Sequence, residues 1–245
     1  MSDVLLNHFY VTPDRATFEA AEHGDLLQGF GALEKRTTVR KDTTYTGLYL
    51  YGEHTYLELL HPDSASFGAP AGIAYGVETP GGLGEVCQAM GAPRPEEVSR
   101  GDVPWFKSCR PDQLPDLAEW VMEYVPAFFR GFHPELPPSR PGIARSDALT
   151  RYAASCGKLR ARAEGLFEDV VALEIVLARR DAEIWSARPV RIAGADIRIK
   201  MAEDGSRGGI RAAHLGLRRD AGSSVRRIGS TTLSLDGRSA VWRFQ

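Results

Sequence analysis

Three titratable side chains lie inside strand-forming stretches of this sequence. His8 sits in VLLNHFYVT, Glu58 in TYLELLHP and Glu123 in WVMEY. Glu58 is flanked by Leu57, Leu59 and Leu60, so its carboxylate either turns to solvent or works in a cleft. Glu123, between Met122 and Tyr124, faces the same choice. In a cleft, an imidazole or a carboxylate can move protons near neutral pH. Arg36, in EKRTTVR, can grip a carboxylate or phosphate with two parallel bonds, the alternative being a solvated strand edge. Tyr10, Tyr45, Tyr49 and Tyr56 supply apolar area with a polar tip, which suits a ligand pocket. Trp105, in VPWF, can line a pocket wall or fill a core. A lone strand histidine is more often a structural hydrogen-bonding group than a ligand.

The elements that must position these groups follow from residue periodicity. Residues 4–12 read as a strand rich in β-branched and aromatic residues. Pro13 and Asp14 open a helix that runs to Gly29–Gly31. Strands are expected over 32–40, 43–51 and 55–62, with Gly52-Glu53-His54 as a tight connection between the last two. After a small-residue stretch (DSASFGAPAG) the pattern restarts. A strand at 71–78, a short helix in LGEVCQAMGA, weak strands near EEVSRG and VPWFKSCR, and a strand in 116–126 repeat the order β-α-β-β-β. The closing strands of the two units align glutamate on glutamate, Glu58 with Glu123. Because alternate strand residues share a face, His8 and Tyr10 are grouped with Leu6 and Thr12; Tyr45, Gly47, Tyr49 and Tyr51 form a second set, and Tyr56, Glu58 and Leu60 a third. Leu48 and Leu50 are left to pack on the helix. Arg36 shares its face with Glu34 and Thr38.

FFRGFHPELPPSRPG holds four prolines and reads as a linker, followed by one or two helices in 146–169. A third unit is expected beyond it, with strands in VALEIVLA, ADIRIKMAE and GIRAAHLGLRR and a hairpin turning at Asp236-Gly237. The expected fold is therefore α+β: a paired-unit domain over 1–126 forming a cupped mixed sheet, a linker with helices over 127–169, and a C-terminal unit over 170–245. That last unit either packs on the first pair or mediates a homodimer.

Composition narrows the partners. The chain of 245 residues carries 30 Lys and Arg against 32 Asp and Glu, a near balance that gives no electrostatic reason to expect a nucleic acid or an anionic membrane. No apolar run reaches the roughly 20 residues a membrane helix needs, and the first residues lack a signal-peptide pattern, so a cytoplasmic location is expected. Three cysteines, Cys87, Cys109 and Cys156, are odd in number and form no close pair, which argues against a disulfide framework and for a reducing compartment. No dinucleotide fingerprint, Walker loop, nucleophile elbow or HExxH helix occurs, so no nucleotide cofactor is expected.

A histidine in an N-terminal strand (LNHFYVTPD), the β-α-β-β-β order and a strand closing on glutamate (YLELLHP) together resemble the vicinal oxygen chelate superfamily of glyoxalases and extradiol dioxygenases. The resemblance covers about residues 4–126. Through EKRTTVR, YGEHTYLEL, VPWF and WVMEY, the whole chain also resembles an uncharacterised bacterial glyoxalase-like family. The resemblance implies a divalent metal held by His8, Glu58 and Glu123 as the first, second and fourth ligands, with the third ligand place falling at Gly72 or a neighbour, where no histidine stands. It further implies an isomerase, lyase or dioxygenase acting on a small oxygen-bearing substrate, with Glu58 or Tyr10 moving the proton and Arg36, Tyr49, Tyr56 and Trp105 holding the substrate. Two metal-free alternatives share this cleft: a small-molecule binding or sequestering protein, and an acid/base enzyme using Glu58 and His8.

Overall fold

Alternation of aliphatic with aromatic or polar side chains dictates strands, and strands dominate the computed structural model, which describes residues 3–39, 44–64, 68–112, 114–140, 142–203 and 208–244. Arg40 and Thr43, read into strands above, lie outside the described residues, as does Pro141 of the proline-rich stretch. The first half runs β1 (Asp3–Val11), α1 (Arg15–His23), α2 (Asp25–Phe30), β2 (Ala32–Val39), β3 (Thr44–Tyr51) and β4 (Tyr56–Leu60). It continues with β5 (Ala71–Gly76), α3 (Leu83–Ala89), β6 (Glu96–Arg100), β7 (Val103–Cys109) and β8 (Ala118–Tyr124). Then come α4 (Pro126–Gly131), α5 (Arg145–Ser155), α6 (Leu159–Glu164), β9 (Phe167–Leu177), α7 (Arg179–Ser186) and β10 (Arg191–Ala193). The chain closes with β11 (Asp196–Met201), β12 (Gly209–Leu217), β13 (Ser223–Ile228), β14 (Thr231–Asp236) and β15 (Ser239–Arg243).

The architecture is mixed α+β and strand-rich. Among the described residues, the larger sheet runs β2-β3-β4-β1-β5-β8-β7-β6, with β10 added beside β1. β1 lies parallel to β4 and antiparallel to β5, and β5 in turn lies parallel to β8. A second sheet runs β11-β9-β12-β15-β14-β13, with β9 parallel to β11 and antiparallel to β12. Its β14–β15 hairpin turns at Gly237, in the left-handed region at φ 57, as the Asp-Gly signal requires.

The helical expectation after Pro13 holds at its start: Asp14 caps α1 and accepts from Thr17 N at 2.8 Å. Gly24 then breaks the expected single helix into α1 and α2. Leu48 and Leu50 join Phe18, Ala21, Leu27 and Phe30 in one core cluster, which continues through Val170, Leu173 and Trp242 of the second sheet. The aliphatic face of β3 therefore packs on the helices, and the tyrosine face is left for the opposite side.

Three expectations need correction. The face assigned to β1 fails at its start, because a register shift lies between Leu6 and His8. Leu6 joins Phe9 and Val11 in the helix-side core, while His8 and Tyr10 turn the other way. The extra residue of a bulge re-aims every side chain before it. Secondly, the stretch read as a linker contains α4, whose Phe128 and Phe129 are buried in a cluster with Tyr124 and Tyr152; Pro126 starts this helix because a proline loses nothing in the first turn. Finally, Cys87 and Cys109 form a disulfide between α3 and the end of β7, 22 residues apart. Spacing along the chain could not show it, since helix-on-sheet packing makes the meeting.

The two sheets are joined by charge as well as by apolar contact. Glu119 of β8 is buried and receives Tyr75 Oη and Trp185 Nε1 at 3.0 Å each, and the Arg188 guanidinium pairs with it. At the other end, Asp169 accepts from the backbone N–H groups of His54 and Thr55 at 2.7 Å each.

Candidate functional site

The side chains turned away from the helices converge on one cavity of about 80 Å³. β1 contributes His8 and Tyr10, β3 Tyr45 and Tyr49, β4 Tyr56 and Glu58, and β8 Trp120, Met122 and Tyr124. Arg36 comes from β2 and Val98 from β6, the two ends of the strand order. Strands so far apart in the order can line one space only if the sheet curls around it. Tyr152 of α5 adds a helical wall and Arg110 an exposed charge.

Register explains the arrangement. Glu58 lies opposite Tyr10 on one side and Tyr49 on the other. Gly47, next to Arg36 across β2, leaves the space they share: a Cβ there would meet Glu58 Oε1 at 3.0 Å and the Tyr49 ring at 3.2 Å. The Arg36 guanidinium lies 4.0 Å from the Tyr49 ring centroid. It donates to Glu34 Oε2 at 3.2 Å and Tyr51 Oη at 3.1 Å, so it grips a carboxylate of its own strand. His8 stacks on Tyr56 with centroids 4.2 Å apart and meets the edge of Trp120 at 5.2 Å. Its Nδ1 lies 2.8 Å from Asn7 Oδ1, an acceptor, which places the ring proton on Nδ1. Burial, and then the nearby Arg36 charge, holds its pKa down to about 3, so this imidazole is neutral at physiological pH.

Most of the residues singled out by sequence are brought together: His8, Tyr10, Arg36, Tyr49, Tyr56, Glu58 and Trp105 all line the cavity. Glu123 does not. Its carboxylate accepts from Gly81 N at 2.8 Å and Leu83 N at 3.0 Å, tying the start of α3 to the opposite face of β8. Since Trp120, Met122 and Tyr124 face the cavity, alternation sends Glu123 the other way. The proposed metal set of His8, Glu58 and Glu123 is thus not assembled. The third ligand place fits no better: a Cβ on Gly72 would sit 2.3 Å from Tyr10 Cε1, so the tyrosine ring covers that position. Among the described residues no other group of three His, Cys, Asp or Glu is placed to hold an ion.

A family of unknown function, DUF5829, matches residues 6–244. The chain belongs to it. No curated protein matches the chain.

In this DUF5829 member, Tyr10 is a wall rather than a proton carrier. Its hydroxyl donates to the Ala69 carbonyl at 2.9 Å, and burial, followed by the Glu58 charge, pushes its pKa above the ordinary tyrosine range. Burial and Glu58 do the same to Tyr49. Sequence reasoning missed Trp120, Tyr124 and Tyr152. Trp105 Nε1 donates to Tyr152 Oη at 2.6 Å, and that hydroxyl donates to Tyr124 Oη at 3.3 Å, fixing three walls to one another. The alternation of WVMEY carried the signal for Trp120 and Tyr124. Nothing in the sequence around Tyr152 points to the sheet.

Proposed function

We propose that this chain is a metal-free small-molecule-binding protein of glyoxalase-like architecture. The pairing β1–β4 and β5–β8, each followed outward by two antiparallel strands, supports two β-α-β-β-β units joined at β1–β5. The observation that carries the reading is the convergence of six tyrosines, two tryptophans and buried His8 and Glu58 on a single accessible cavity. Buried polar groups among aromatic rings are what orient a ligand in an otherwise apolar site. Glu58 and the tyrosines remain from the metal-dependent expectation, now as ligand contacts. The Cys87–Cys109 bond supports an oxidising working compartment rather than a reducing cytoplasm.

Trp105 and Trp120 line the cavity, so ligand entry alters intrinsic fluorescence. A panel of small alkylated, aromatic and charged probes is expected to give at least one saturable fluorescence change in the native protein. Ser108→Trp, which fills the wall from a half-buried position, is expected to abolish it without loss of thermal stability. A silent panel, or equal binding by the Ser108→Trp variant, refutes a binding role for this cavity.

A further inference from the structure

We propose that the pocket takes the head of a small neutral alcohol, whose hydroxyl donates to Nε2 of His8. The inference rests on the binding reading above and names the ligand class for the same site.

A neutral imidazole has one donor and one acceptor nitrogen, and the partner of the first fixes the role of the second. Asn7 Oδ1 takes the Nδ1 proton at 2.8 Å from outside the lining, which leaves Nε2 as the acceptor of a ring that lines the cavity. Nε2 itself bonds no described residue, although His8 is only 5 % exposed. A buried acceptor left unpaired is costly, so a ligand that supplies a proton is rewarded there. Tyr56, stacked at 4.2 Å, and Trp120, at 5.2 Å, hold the ring in place. Other polar groups of the wall are already engaged: Tyr10 with the Ala69 carbonyl, Arg36 with Glu34 and Tyr51, and Trp105 with Tyr152.

Charge selects among the donors. A carboxylate brings only lone pairs, which repel that of Nε2. An ammonium group has the proton, but it would enter the field of Arg36, whose charge already reaches the ring and helps keep it unprotonated. An uncharged hydroxyl meets neither obstacle.

Size limits the buried part of the ligand. The cavity of about 80 Å³ is roughly half of the ~150 Å³ that holds the six carbons of benzene, so it takes about three or four non-hydrogen atoms. Arg110 belongs to the same lining and is exposed, so the rest of a longer ligand leaves past it.

The test uses propan-2-ol, acetone, acetate and isopropylammonium, which share a non-hydrogen atom count and a branched shape. Each is titrated at pH 7 into the full chain with nitrogen-15 in its histidine rings and followed by NMR, up to roughly 100 mM because so small a ligand binds weakly. Propan-2-ol is expected to bind about tenfold more tightly than the other three and to move the Nε2 resonance of His8, which acetone leaves in place. His8→Phe keeps a ring against Tyr56 but removes the acceptor, and is expected to bring propan-2-ol down to the level of acetone. If His8→Phe fails to fold, the Nε2 shift in the unaltered protein decides. Equal binding by acetone, acetate or isopropylammonium overturns the alcohol class. So does an Nε2 resonance that propan-2-ol leaves unmoved, as a hydroxyl seated on Glu58 would leave it. Silence from all four compounds overturns it too. If the wider probe panel still binds, only the ligand class has failed; if the panel is also silent, the binding reading falls with it.

Discussion

Removing the Arg188 guanidinium should cost this protein more than any surface change, because it strands a charge. Glu119 is buried, its carboxylate meets Arg188, Trp185 and Tyr75, and burial pushes its pKa above the ordinary 4.5 even with the arginine present. Breaking a buried pair by deleting one partner costs about 3–5 kcal/mol, since the remaining charge is left without compensation. In a chain of this size each kcal/mol moves Tm by about 2–4 °C, so Arg188→Met should lower it by about 6–20 °C. Neutralising the survivor should return much of the loss, so the Glu119→Gln/Arg188→Met double variant should melt above Arg188→Met alone. A glutamate whose folded pKa is raised withdraws stability as pH climbs from about 4.5 through the folded value. The penalty of Arg188→Met should therefore shrink toward pH 5 and grow toward pH 8. Calorimetry of the three variants across that range checks all of this. A single variant within about 2 °C of wild type, or a double variant no better than Arg188→Met, would refute the claim that this pair holds the connection between α7 and β10 on the first sheet.

Other outcomes follow from groups already described. Without reductant, unfolded protein should show one titratable thiol, Cys156, and three after reduction; closing a 22-residue loop is worth about 3 kcal/mol, so reduction should lower Tm measurably. Stability should fall as pH drops from about 6.5 toward 3, because unfolded His8 takes a proton that the folded protein refuses. The slope from this residue is at most about 1.4 kcal/mol per pH unit and should vanish in His8→Asn, read by denaturant titration. Glu123→Gln should cost about 1 kcal/mol through the weakened tie to α3 and leave probe binding unchanged. Gly72→Ala should destabilise by about 1–3 kcal/mol, because its Cβ strikes the Tyr10 ring.

The first half of the chain was legible because its strands carry a strong two-residue period. Tyr45, Tyr49 and the Leu48/Leu50 pair announced their opposite faces, and Asp14 announced the helix start. Errors arose where one residue changes phase. The Leu6–His8 irregularity in β1 moved Leu6 off the face of His8, and no residue type there marks a bulge. The same sensitivity misled the glutamate alignment. Placing Glu123 on Glu58 is out by one residue, whereas placing Met122 on Glu58 keeps the cavity faces in register. Tyr152 and the Cys87–Cys109 bond stayed hidden for a different reason. Both depend on helices meeting the sheet through tertiary packing, which local pattern does not encode.

The place of β10 beside β1 has a consequence for synthesis. Asp3–Leu5 are made long before their parallel partners Arg191–Ala193, which lie on the order of 190 residues further along the chain. β4 covers only His8–Val11 along that edge of β1. At roughly 5–20 residues per second, the interval is on the order of 10–40 s. Throughout it, the central strand of the first sheet offers an open backbone end that another nascent chain could pair with. A chain cut short before residue 191 would keep that sticky end for good.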